Sequence, residues 1–443
     1  MCKGTARSLG SGRYIQLKPH TCTVKPSAVT HKRANAAAKQ VVKADDTKSA
    51  RAVVMEVLRE EHAKNNDVPL PIPENLIRNC QRATAKDRPK HPRKHDIGFK
   101  VNMAHIPDDF LMHDIKTPPV GQTERRTLVF SNMTLLKLLH GAKLWTVDGT
   151  FSLVKEPAQQ LYTAQAHVQH DGNVILLPFV FAIMTHKATA DYVAFFTKIK
   201  ATFPEEWGPP LLEEVLCDYE KSVWNAARRV FPGVKVRGCF FHWTHAVQDR
   251  MKREGLEDKK TTPEEHRLCR LILSLPLLPA EKIAPTFTAL YAQTSGRVKL
   301  VCDYIDHQWI DDKAFFNPST WSQYMQHTRT TNSHEGWHNR MKSAADRKSK
   351  LNFYKLVELL YYQVSLVPLQ CALLCQNKLR EHSTKAAGST NKKLFDLWEL
   401  YNTREINLKQ LHVLVTEVMD SVYTARLNTN IPVTPTSNDP ESE

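Results

Sequence analysis

Apolar positions along the chain change their period twice. From about residue 27 to 85 the spacing is helical: KSARAVVMEVLREEHAK places Ala52, Met55, Val57 and Leu58 near one stripe, and ENLIRNCQRATAK predicts a second, shorter helix. From about residue 127 the texture becomes alternating. KLWTVDGTF reads as a strand ending at Asp148-Gly149, QLYTAQAHV as a second, and VILLPFVFAIM as a buried third, in which Pro178 is an awkward member of a central strand. Tyr192, Phe195, Phe196, Ile199 and Phe203 then fall at helical spacing before Pro204 stops the run. EEVLCDYE, SVWNAARRVF, KVRGCFF and HWTHAVQDRMKREGL follow as strand, helix, strand and helix. After Leu256 the strand signals stop. Thr262-Pro263-Glu264-Glu265 predicts a capping box with proline at the first helical position, and apolar periodicity runs on to about residue 310. A further helix is expected from near residue 330, then an α-rich stretch through LNFYKLVELLYYQVSL.

Three strands, helix, strand, helix, strand, helix is the element order of an RNase H-like α/β core with a mixed sheet. The expected organisation is a basic helical region over 26–126, the core over 127–256, a large helical insertion over 257–328, and a helical C-terminal part over 329–428. The last residues, 429–443, lack periodicity and are expected to be disordered. The apolar run Val174 to Met184 is far shorter than the roughly 18 residues of a spanning helix, so no membrane segment is expected.

Charge sharpens this division. The formal net charge is +15, and residues 1–100 hold 21 Lys and Arg against 9 Asp and Glu, or +12, leaving +3 for the rest. Clustered positive charge suits a polyanion such as DNA, because each neutralised phosphate releases condensed counterions; a solvated arm gives the same composition. Within KDRPKHPRKH, Lys86, Arg88, Lys90, Arg93 and Lys94 are the candidate phosphate contacts, and the run also reads as a nuclear-import signal. The N-terminus is polar and basic, unlike a secretory signal. Nine cysteines without dense pairing suggest reduced thiols.

Phosphodiester cleavage needs divalent cations held by several carboxylates. Asp148 and Asp218 each end a predicted strand, although an isolated Asp-Gly pair is usually a turn. The stretch TTNSHEGWHN contains His334-Glu335-x-x-His338, the zinc-protease spacing. The metzincin third ligand would fall at Ala344; Glu358 on the following helix is the other candidate.

The succession VDGTF, LCDYEKS, GCFFHWTHAV, RTTNSHEGWHNRMK resembles the transposase domain of Mutator-like elements (MULE), a DDE superfamily of RNase H-like enzymes. That resemblance implies a catalytic triad of Asp148, Asp218 and Glu335 holding Mg²⁺ or Mn²⁺, and metal-dependent DNA cleavage and strand transfer. It further implies element ends and target DNA as partners, a homo-oligomer and a nuclear location. Asn332, Glu335 and His338 already belong to the family motif, so the protease spacing arises from His334 alone. The family's Cys-x-x-His falls on Cys239 and His242; two ligands make no structural zinc site, Cys239 reads equally as a packing residue, and His242 is a candidate contact to the scissile strand. Trp337 and Trp243 are candidates for stacking on unpaired bases, against the commoner fate of burial. Residues 1–25 resemble the second half of a FLYWCH zinc finger. Cys2, His20 and Cys22 would bind zinc there only with a fourth ligand from elsewhere. Cys371 and Cys375, one helical turn apart, read as core packing. A domesticated DNA-binding regulator without transposition is the alternative function, and a zinc metalloprotease the remote one.

Overall fold

The computed structural model describes residues 5–10, 13–19, 26–44, 49–64, 67–120, 123–171, 173–256, 261–329, 332–345, 349–378 and 385–427. Cys2, His20, Cys22 and the terminal segment expected to be disordered lie outside the described residues. The chain divides into two compact units, Met1–His91 with Arg340–Leu359, and Pro92–Asn339 with Leu360–Glu443.

In the first unit, β1 (Thr5–Gly10) and β2 (Arg13–Lys18) form an antiparallel hairpin. Three helices follow: α1 (Pro26–Ala44), α2 (Ala50–Lys64) and α3 (Pro73–Lys86). They share a core of Ala34, Ala38, Val42, Val53, Val54, Val57, Leu58, Leu76, Ile77 and Cys80. Each fully buried Val or Leu contributes roughly 1.5–3 kcal/mol. The buried stripe of α2 is Ala50, Val53, Val54, Val57, Leu58 and Glu61, at helical i, i+3, i+4, i+7 spacing. This corrects the expected stripe, because Ala52 is exposed and Met55 lies on the opposite side, half exposed. Glu61 tolerates burial since Arg33 of α1 (Nε to Oε2, 2.7 Å) and Lys64 (2.9 Å) hydrogen bond its carboxylate and hold its pKa below the usual range.

The second unit is built on a seven-stranded mixed sheet, an α/β fold. Its strands are β3 (Leu111–Val120), β4 (Thr123–Phe130), β5 (Leu144–Thr150), β6 (Gln160–His170), β7 (Asn173–Met184), β8 (Glu214–Cys217) and β9 (Lys235–Gly238), in the order β3-β4-β7-β6-β5-β8-β9. β5–β8 and β8–β9 pair in parallel and every other neighbour pairs antiparallel. Helix α4 (Met133–His140) links β4 to β5, while α5 (Thr189–Thr202), α6 (Lys221–Val230) and α7 (Phe240–Arg253) follow β7, β8 and β9. From β5 to α7 this is the element order that the periodicity predicts.

The sheet begins at Leu111, ahead of the expected boundary at residue 127. β3 carries Pro118 and Pro119, which an edge strand tolerates because one side of its backbone faces no neighbour. β4 hides behind its charges. Arg126 is buried, with Nε and Nη2 donating to Asp114 at 2.7 Å each and Nη1 to the carbonyls of Ile97 and Phe99. Pro178 is accommodated similarly: β4 pairs with β7 only at Phe181–Met184, and the β6 ladder shifts so that Ala164 opposes Val180 while Gln165 opposes Pro178. Phe179 is the bulged residue, and its carbonyl accepts from Ser131 Oγ at 2.6 Å.

After the core come α8 (Pro263–Ser274), α9 (Ala280–Tyr291), α10 (Gly296–Ile305), a π-helical turn at Asp306–Ile310, and α11 (Pro318–Trp321). The capping box forms, Thr262 Oγ1 accepting from Glu265 N and Glu265 Oε2 from Thr262 N. Then follow α12 (Asn332–Ala344), α13 (Phe353–Ser365), α14 (Val367–Cys375), α15 (Lys385–Asn402) and α16 (Leu408–Leu427). Among the described residues, Phe353–Cys375 is the one stretch long and apolar enough to cross a membrane by length and composition. It is broken between α13 and α14, and Phe353, Leu356, Val357, Leu360, Val364, Val367 and Leu374 are buried core. Cys371 is half-buried and Cys375 exposed, so the expected core role fails for Cys375.

Candidate active site

Two acids converge at one end of the parallel pair β5–β8. Leu144 opposes Glu214, Trp145 opposes Val215 and Thr146 opposes Leu216; continuing that register sets Asp148 level with Asp218, the residue after β8. The Asp148-Gly149 pair is therefore within a strand and not a turn: Asp148 opposes Thr163 and Gly149 opposes Tyr162 across β6. Gly149 leaves space, since a Cβ there would come within 2.7 Å of Gln160 Oε1. Backbone N–H groups orient both carboxylates. Gly149 N donates to Asp148 Oδ1 at 2.9 Å, and Tyr219 N donates to Asp218 Oδ1 at 2.6 Å. The Asp148 and Asp218 side chains retain 12% and 24% exposure, enough for an ion to reach them.

Each acid has an imidazole beside it. His242 Nδ1, on the first turn of α7, lies 3.8 Å from Asp218 Oδ1, and His338 Nδ1, on α12, lies 4.0 Å from Asp148 Oδ2. Burial disfavours the charged form of His242, but the neighbouring Asp218 charge, the charge and hydrogen bond of Cys239, and more weakly Asp148 outweigh it and hold the pKa well above the ordinary imidazole value. Cys239 itself is fully buried at the N-cap position of α7, its N–H donating to Cys217 O at 2.9 Å. It positions His242 rather than facing solvent.

Glu335, the expected third acid, belongs to α12, with its backbone one turn ahead of His338; the side chains of Asn332, His334 and Glu335 fall outside the described residues. Trp337 anchors this part of α12 to the sheet, stacking on Phe181 of β7 with ring centroids 5.6 Å apart. At 1% exposure it offers no face to a base, which corrects the expected stacking role. Trp243 is likewise fully buried, stacked on Trp321 at 5.0 Å. Large indoles beside a motif are here the packing that fixes it.

Tyr219 shows the same logic next to Asp218. Its ring is packed edge-on by Trp309 (4.7 Å) and Phe316 (5.2 Å) and lies parallel to Trp224 (6.2 Å), so the helical insertion props up the strand end carrying the acid. Beside it is Gly238, where a Cβ would come within 2.1 Å of the Tyr219 ring carbons Cε1 and Cζ. Gly238→Ala is therefore expected to destabilise the chain by about 1–3 kcal/mol, as read by urea denaturation. Gly149→Ala meets only the end of a glutamine side chain and should perturb less.

Glu220, two residues after Asp218, is a further carboxylate that the sequence reading did not single out. It accepts from Tyr192 Oη at 3.3 Å, and with Asp148 it helps push up the pKa of Tyr162, whose burial is the larger cause. The LCDYE string alone carries the signal for it.

Among the described residues no three His, Cys, Asp or Glu side chains are gathered to hold a metal. The Asp148–Asp218 pair offers hard oxygen donors, which fit magnesium or manganese and not a thiolate-preferring metal. Glu358, the candidate third zinc ligand, is occupied: Arg88 Nε reaches its two oxygens at 2.9 and 3.1 Å, and Lys355 approaches to 3.5 Å. That pair also removes Arg88 from the freely available cations, whereas Lys86, Lys90, Arg93 and Lys94 are exposed, Lys94 pairing with Glu156 at 3.0 Å. No curated protein matches the chain. Residues 144–246, which run from the start of β5 into α7 and include both aspartates, Cys239 and His242, match the family model of the MULE transposase domain.

Proposed function

We propose that the chain is a MULE-type DDE transposase with an RNase H-like core, which binds element ends and target DNA and catalyses cleavage and strand transfer. The alignment of Asp148 with Asp218 across a parallel strand pair carries this reading, because it brings together two carboxylates 70 residues apart in a segment that matches a transposase family. Glu335 of α12 completes the acidic set. Bound Mg²⁺ or Mn²⁺ would activate the attacking oxygen and stabilise the leaving one. The residues of the chain do the positioning: backbone N–H groups at Gly149 and Tyr219 fix the carboxylates, and His242, held by Asp218 and Cys239, contacts the scissile strand. Lys86, Lys90, Arg93 and Lys94 supply phosphate contacts, in a nuclear homo-oligomer.

Purified full-length protein incubated with supercoiled plasmid is expected to nick it with Mg²⁺ or Mn²⁺ and not with EDTA. Tight DNA binding with no cleavage under any divalent ion would replace this reading with a DNA-binding regulator.

A further inference from the structure

One cation next to this site is unexplained by packing. Arg329 lies at the end of the loop that leads into α12, and its backbone is clamped from two sides. Its carbonyl accepts from Phe240 N at 2.8 Å, adjoining Cys239, which hydrogen bonds to Cys217 beside Asp218. The preceding residues are pinned by Arg237, fully buried on β9, whose Nη1 donates to Gln323 Oε1 (2.6 Å) and Nη2 to Thr328 O (2.8 Å), while Nε pairs with Glu214. Arg237 is thus neutralised and structural. Arg329 is not: among the described residues no carboxylate lies within ion-pairing distance, and its partners are the neutral Asn391 Oδ1, bound by Nη2, and the face of Trp398 at 6.0 Å. Nη1 is buried without a hydrogen-bond partner. Burial, and secondarily Arg237, lower its pKa to about 10, so it stays charged at neutral pH. Next to Asn391 on α15, Lys392 and Lys393 are exposed.

A half-buried guanidinium with no carboxylate partner among the described residues, hydrogen bonded to a neutral amide on a helix that carries two exposed lysines, is a site short of one anion. We infer that Arg329, oriented by Asn391 of α15, is a phosphate-binding site that seats the DNA backbone beside the Asp148–Asp218 acids. This rests on DNA being the substrate, as proposed above. Arg suits the role because its planar fork binds two phosphate oxygens and its charge survives desolvation.

The test is equilibrium binding of the full-length protein to a short fluorescent duplex over a salt series in EDTA, which separates binding from cleavage. Arg329→Gln is expected to weaken binding about tenfold or more at moderate salt and to reduce the log–log salt slope by about one, the signature of one lost phosphate contact. Arg329→Lys should retain the slope. Asn391→Asp replaces an exposed amide with a carboxylate that neutralises Arg329 in place; it should reproduce the Arg329→Gln loss without removing the side chain, which covers the case in which Arg329→Gln fails to fold. Unchanged affinity and slope in Asn391→Asp, or equal losses with an intact slope in Arg329→Gln and Arg329→Lys, would overturn the site and make Arg329 a structural clamp. Wild-type protein that binds but never nicks plasmid removes the transposase reading and leaves the phosphate site; nicking by a protein whose Arg329→Gln variant keeps the full salt slope does the reverse.

Discussion

Asp148→Asn and Asp218→Asn are each expected to lower metal-dependent DNA cleavage by more than about 10³-fold, the scale on which losing one member of a cooperating catalytic set acts. Duplex binding in EDTA should stay within about threefold of wild type. The amide is the informative substitution because it preserves the local geometry. Its oxygen still accepts from Gly149 N or Tyr219 N, and only the charge and one acceptor position are lost. Bringing two carboxylates level on neighbouring strands works against folding through like-charge repulsion, so Asp148→Asn should not melt below wild type in the absence of metal, whereas Asp218→Asn also gives up the attraction that keeps His242 charged and should melt only slightly lower. A marked fall in Tm would make the aspartates structural. Unchanged cleavage in either variant would end the transposase mechanism.

How far such a site is legible in sequence depends on which property marks each residue. Strands are marked locally: LCDYE shows an apolar run stopping at an acid where β8 ends, whereas VDGTF reads as a strand end but lies inside β5, which pairs with β6 as far as Thr150. That β5 and β8 are neighbours is marked by no single stretch of the chain and is expected only from the order of the elements, while the pairing register sets Asp148 level with Asp218. β3 and β4 escape a periodicity reading because their polar residues point inward to partners contributed by distant segments. Arg126 takes Ile97, Phe99 and Asp114, and Arg125 takes Asp191, so a buried strand presents the pattern of a surface. The tryptophans mislead in the opposite direction. Trp337 and Trp243 stand next to the motifs because the motif segments must be packed, and their faces are covered by Phe181 and Trp321. Met55 looks like a core residue by type, but Glu61 occupies the buried stripe because Arg33 and Lys64 neutralise it.

The Arg125–Asp191 pair leads to the largest stability effect expected in the sheet unit. Both side chains are buried, at 5% and 2% exposure, and they join β4 to the start of α5. Arg125 Nε donates to Asp191 Oδ1 at 3.0 Å and Nη2 reaches Oδ2 at 2.5 Å. Thr117 Oγ1 of β3 donates to the same Oδ1 at 2.9 Å, and Ala188 N donates to Oδ2 at 3.0 Å, so this one carboxylate also caps the helix. Asp191→Ala is expected to destabilise the chain by about 3–5 kcal/mol, because it strands a buried guanidinium and removes the cap at once. Arg125→Met should cost less than Asp191→Ala, since the remaining carboxylate keeps its bonds from Thr117 and Ala188. The double variant Arg125→Met/Asp191→Leu takes both charges out of the interior and should recover much of the Asp191→Ala loss, leaving mainly the missing cap of about 1 kcal/mol. Urea denaturation of the three variants tests this ordering. A double variant as unstable as the sum of the single losses would mean that the pair itself, and not the avoidance of a lone buried charge, holds β4 to α5.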